Sequence, residues 1–177
     1  MIIMTPRLRK FTLTAHVTSS VGWLGSVVAY LALAITGLRS GDAQMVGAAY
    51  IMMELIGWYV IVPFSLAALA TGLVQSLGTE WGLFRHYWIL AKFLLSTIGT
   101  IILLVHMRTA VSPLARVAAE VAPLGADFRT PRLSLVVHAG GGLLILLTAT
   151  VLSVYKPRGM TRYGWRKQNE QRALSKS

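Results

Sequence analysis

The chain has 177 residues, 55% of them hydrophobic, with a mean hydropathy of +0.62, too apolar for an ordinary soluble protein and of a length that suits one domain. It contains no cysteine, which excludes disulfides, thiolate metal sites, iron–sulfur clusters and cysteine nucleophiles. A formal charge of +11 would suit nucleic acid, but the basic residues flank apolar runs instead of forming a basic face, which argues against a nucleic-acid partner.

A basic head, residues 1–10 with Arg7, Arg9 and Lys10, precedes the first apolar run at 11–38. Ala32-Leu33-Ala34 resembles a signal-peptide cleavage site, yet the run is much longer than an h-region and carries its own polar face; a retained helix is expected. The second run, 47–77, is longer than one crossing needs, and Pro63 in its middle is expected to kink it. The loop 78–84 is short, so the second and third helices should be antiparallel neighbours.

The third run, 84–108, is bracketed by Arg85 and Arg108 as interfacial anchors and is long enough to cross a bilayer at about 1.5 Å of rise per residue. Lys92, Ser96, Gly99 and His106 recur along it at helical spacing and should share one face. A connector at 109–131 follows, in which Ser112-Pro113 and LARVAAEVA read as a short capped helix on the membrane surface, broken by Pro123, Gly125 and Pro131. The fourth run, 132–155, ends at Lys156-Pro157, and the basic tail 156–177 is expected to be partly disordered. The fold class is therefore all-α, a four-helix transmembrane bundle with the lipid bilayer as its partner.

With four crossings both termini share a side. The head, Arg85, Lys92 and the tail (Lys156, Arg158, Arg162, Arg166, Lys167, Arg172, Lys176) outnumber Arg39, Arg108, Arg116, Arg129 and Arg132 on the other side, which predicts cytoplasmic termini. Trp81, Trp88, Tyr155 and Trp165 suit an aromatic belt on that inner face. The tail is either a topology determinant or also an anionic-lipid contact, at about 1 kcal/mol per basic residue near the surface.

Each helix shows a seam: His16, Ser20, Trp23, Val27 and Tyr30 in the first; Glu54, Trp58, Ser65, Gly72 and Gln75 in the second; His138, Gly141, Gly142, Thr148 and Tyr155 in the fourth. Small residues allow close helix approach in membranes, and Ser, Thr, Trp and Tyr bond across helices, so packing accounts for most of these. The ionisable residues divide into an inner polar cluster (His16, Gln75, Lys92) and an outer group (Glu54, His106, His138). Lys92 could instead snorkel, and Glu54 could sit at the outer interface of an overlong helix. His86, next to Arg85 and Trp88 and nearly opposite His106 around the helix, reads as interfacial.

His106 and His138 lie on consecutive antiparallel helices, and Ala139-Gly140-Gly141-Gly142 opens a slot beside the second imidazole. A b-type haem needs axial histidines and such a slot but no cysteine, so His106 and His138, with Gly141 and Gly142, form a candidate outer haem site; His16 is a possible inner ligand. Counting from Arg108 and Arg132 puts the two outer histidines about 6 Å apart in depth unless the helices are offset. A rival reading makes His106, His138 and Glu54 an N,N,O metal set or a proton relay. The absence of a phosphate-binding glycine loop, a serine elbow and paired carboxylates argues against hydrolase or kinase chemistry.

The first helix, AHVTSSVGWLGSVVAYLAL, and the stretch HYWILAKFLL in the third resemble small bacterial proteins catalogued as predicted integral membrane proteins, and more distantly membrane proteins of the copper-resistance protein D type. The positions that carry the resemblance are His16, Trp23, Gly25, Trp88 and Lys92. It implies a bacterial inner-membrane location and no defined activity. Three functions follow as expectations: a haem-binding electron-transfer module with a membrane redox partner, a proton- or metal-linked transporter subunit, and a structural partner or homo-oligomer within a larger complex.

Overall fold

The computed structural model describes residues 4–78, 82–119, 129–157 and 159–174, and among these the chain is helical with no strand. Helix α1 is Pro6–Arg39. Thr5 caps it by accepting from the Leu8 N–H at 3.4 Å, and Pro6 occupies the first turn, where its missing N–H costs nothing. Helix α2 is Ala43–Gly78, capped by Asp42, which accepts from the Gln44 N–H at 3.0 Å. Helix α3 runs through Tyr87–His106 and continues to Ser112–Ala119; α4 is Arg129–Tyr155 and α5 is Arg162–Leu174. Helices α1 to α4 are each long and apolar enough to cross a membrane.

One expectation changes at the prolines: the segment after Arg108 is not a separate surface helix but the continuation of α3. Pro63, expected to kink α2, lies within a helix that continues to Gly78. Each proline follows a π-helical turn, Gly57–Ile61 before Pro63 and Met107–Val111 before Pro113. A proline ring clashes with the carbonyl one turn back and cannot donate to it. A π turn inserts one residue and moves that carbonyl aside, so the helix continues.

The four long helices form a square, in which α1 and α3 occupy opposite corners and each packs against both α2 and α4. Glycines allow the close approaches. A Cβ at Gly22 would meet the Phe64 ring, one at Gly37 the Tyr50 ring, and one at Gly57 the Sδ and Cε of Met107. The last contact joins the two π turns, and beside it the Trp58 indole N–H donates to Ser112 Oγ at 3.2 Å. The core runs through Trp23, Tyr30, Tyr50, Met53, Ile61, Met107 and Leu135. Val21, Val28, Ile98, Ile101, Val137 and Leu144 face outward, as lipid contact requires.

The tail is more ordered than its composition suggests. The Thr161 N–H donates to the Arg85 carbonyl at 3.0 Å, the Tyr87 N–H to that of Gly159 at 3.4 Å, and His86 and Met160 form an antiparallel bridge. This docks α5 against the start of α3, with Gly164 seated where a side chain would strike the Arg85 carbonyl. On α5, Lys167 and Glu170 pair at 2.8 Å, and that hydrogen bond raises the lysine's pKa and lowers the glutamate's. Tyr155 and Trp165 are exposed and Trp88 is half-buried, while Trp81 lies outside the described residues, as do Pro123, Gly125 and Arg158.

Candidate functional site

In the half of the bundle nearest the termini, His16 bridges three helices. Its Nδ1 lies 3.1 Å from the Ala68 carbonyl and 3.1 Å from Thr71 Oγ1, both on α2, and its Nε2 lies 3.4 Å from Lys92 Nζ on α3. A carbonyl only accepts, so Nδ1 carries the proton and Nε2 receives the lysine N–H. Gly72 leaves room for the ring, since a Cβ there would stand 3.1 Å from His16 Cε1. Two members of the inner polar cluster, His16 and Lys92, are thus in direct contact. Gln75 is half-buried one turn beyond Thr71 on the same helix.

In the other half, nearest the connector, His106 and His138 stack face to face, with ring centroids 3.9 Å apart and planes 12° from parallel. The depth mismatch disappears because α3 does not end near Arg108 and α4 starts at Arg129, which offsets the two helices. His138 Nδ1 donates to the Ser134 carbonyl at 2.8 Å, leaving Nε2 as its unprotonated nitrogen. His138 stands exposed at the outer edge of α4, while His106 is buried.

Beside the stack lies a cavity of about 260 Å³, open on one side. The imidazoles, Trp23 and Tyr30 of α1, Ile61 at the end of the first π turn, and Gly99, Gly141 and Gly142 all border it. Tyr30 and Trp23 belong to the same stripe of α1 as His16 and read from sequence as packing residues; only the arrangement of four helices makes them cavity walls. Two lining residues also carry a fully enclosed polar atom, His106 Nε2 and the Tyr30 hydroxyl, without a hydrogen-bond partner among the described residues.

Glu54 does not join this group. Among the described residues no three His, Asp or Glu side chains converge on a possible metal position, and the cavity residue from α2 is Ile61. In an unbroken helix Glu54 would lie above Ser65, three turns on. The π turn inserts a residue between them, so the buried stripe becomes Met53, Gly57, Ile61 and Ser65 and Glu54 rotates off it. On α4 the buried stripe is Leu135, Ala139, Leu146 and Ala149, which leaves Thr148 and Tyr155 on the outside.

This geometry also tests a haem held by the two outer histidines. Axial imidazoles point their nitrogens at one iron from opposite faces of the macrocycle, about 2 Å from the metal on each side. Rings in face-to-face contact leave no layer between them for a porphyrin. Gly141 and Gly142 do border open space, where a Cβ would meet nothing, but that space lies beside the stack and not within it. As arranged, His106 and His138 do not fit as the two axial ligands of one haem.

No family model matches the chain, and no curated protein or solved structure is significantly similar to it.

Proposed function

We propose that this multi-pass membrane protein, with both termini on the cytoplasmic face of a bacterial inner membrane, takes up a small lipid-soluble molecule in the cavity between its four helices. One observation carries the reading: a partly open cavity of about 260 Å³ with mostly apolar walls lies between the helices, with the stacked imidazoles of His106 and His138 among its lining residues. Ligand pockets combine apolar walls with a few polar side chains, and the lining here includes Tyr30, His106 and His138. Exposed Val137, His138 and Gly141 form its margin, so entry is sideways, from the bilayer. The stacked imidazoles are then a wall of the site, not a metal clamp.

The test is a cavity-filling substitution. Gly142 borders the cavity and a Cβ there meets nothing within 4 Å, so Gly142→Leu should fold and occupy the space. A bromobenzene should quench Trp23 saturably in the wild-type chain, read as the difference from Trp23→Phe, and Gly142→Leu should abolish that component. Equal quenching in the plugged variant would overturn the reading.

A further inference from the structure

We infer that α5 is a binding site for anionic phospholipid, in which Arg162 and Arg166 hold headgroup phosphates and Trp165 enters the interface beside them. The backbone sets the level. The Met4 N–H donates to the Gly78 carbonyl and the Tyr87 N–H to the Gly159 carbonyl, each at 3.4 Å, so α1 and α3 begin where α2 and α4 end. Phe84, Tyr87 and Tyr155 are all exposed there, and exposed aromatic rings at the ends of apolar helices belong at the headgroup layer. The Thr161 N–H donates to the Arg85 carbonyl at 3.0 Å, which starts α5 beside that layer.

Gly164 then fixes which side of α5 is free. Its N–H donates to Thr161 Oγ1 at 3.1 Å, and a Cβ on it would strike the Arg85 carbonyl, so this side is turned to the protein. At about 100° per residue, Arg162 and Arg166 project about 160° away from it and Trp165 about 100°. All three are exposed. Arg166 lies only about 6 Å further along the axis than Arg162, which keeps both charges within about one Debye length of the headgroups.

Charge selects the partner. Arg7, Arg9 and Lys10 on α1 and Lys156 after α4 are exposed at the same end. Among the described residues the acid at this end is Glu170, which Lys167 engages at 2.8 Å. The excess of cations meets an anionic leaflet favourably, and guanidinium forks bind phosphate oxygens in pairs. Nucleic acid offers the same phosphates but no apolar layer for the exposed rings of Trp165, Tyr87 and Phe84. A lipid headgroup region offers both, since an indole places its ring toward the acyl chains and its N–H among polar groups.

The experiment titrates the full chain, purified in a neutral detergent, with short-chain phosphatidylglycerol or phosphatidylcholine and follows its Tm. Phosphatidylglycerol should raise the Tm at concentrations where phosphatidylcholine does not. Sodium chloride at about 1 M, where the Debye length is about 3 Å, should remove most of that difference. Arg162→Gln combined with Arg166→Gln should weaken phosphatidylglycerol binding about 25-fold, about fivefold for each charge, and leave the Tm in detergent alone unchanged, because both side chains are exposed. Trp165 emission, read as the difference from Trp165→Phe, should move to shorter wavelength with phosphatidylglycerol in the wild-type chain and not in the double variant. Equal responses to the two lipids would overturn the proposal and leave the basic residues as topology determinants. An unchanged phosphatidylglycerol response in the double variant would overturn α5 as the site. A single-stranded oligonucleotide that raises the Tm as phosphatidylglycerol does would overturn lipid as the occupant.

Discussion

At the scale of single residues, what matters is which polar groups have partners. His16 is satisfied on both ring nitrogens, whereas His106 carries a nitrogen with none among the described residues. The same residue type thus serves two ends of the bundle differently, one as a helix-bridging hydrogen-bond hub and one as a stacked ring in the wall of a cavity. Lys92 is the weak partner in the hub. Its ammonium meets a neutral imidazole, and among the described residues the ion pairs at hand are on α5, away from it. A half-buried cation without a carboxylate bears a desolvation cost that one hydrogen bond does not offset. Lys92→Met should therefore stabilise the protein by about 1 kcal/mol, seen as a rise in Tm in detergent. A fall in Tm would show that an anion, such as a lipid phosphate, occupies the ammonium.

At the scale of elements, the paired π turns are the feature with most consequence. They sit side by side on α2 and α3, with Met107 pressed on Gly57 and Trp58 bonded to Ser112. The turn on α2 sets its buried stripe, bringing Ile61 to the cavity and turning Glu54 away. The turn on α3 begins immediately after His106. Gly57→Ala puts a methyl where the tip of Met107 lies and should cost about 1–3 kcal/mol. Met107→Ala alone leaves a cavity and costs about 2–5 kcal/mol. The double variant should lose less than the sum, because the added methyl partly fills the space the methionine vacates, and a thermodynamic cycle in detergent measures that coupling. Strict additivity would show that the two π turns do not lock each other. Neither turn was legible in the sequence. Pro63 signalled a departure from regular helix, but whether a proline kinks, ends or pads its helix depends on what packs beside it, and here a glycine on one helix receives a methionine from the other.

At the scale of the whole molecule, a square of antiparallel helices places both ends of the long chain of spans on one face, and α5 folds back onto that face through the turn at 82–86. The lysine and arginine bias predicts that this face is the cytoplasmic one. A reporter active only in the cytoplasm should be active when fused after residue 177 and silent when inserted near Gly125; the opposite pattern would invert the topology. The apolar runs and their basic flanks determined by themselves that the chain is helical, how many long helices it has and roughly where each lies. Hydrophobic length and charge are local properties, and in lipid every backbone polar group must be satisfied within its own helix, which makes them decisive. Helical spacing also separated His16 and Lys92 from His106 and His138, since depth along a helix is read by counting. The rotation of each helix about its axis is different, because inserting one residue shifts a whole face by about 100°. Only the packed bundle decided that Glu54 faces away, that Tyr30 and Trp23 line a cavity, and that two histidines expected to clasp an iron lie against each other as a pair of stacked rings.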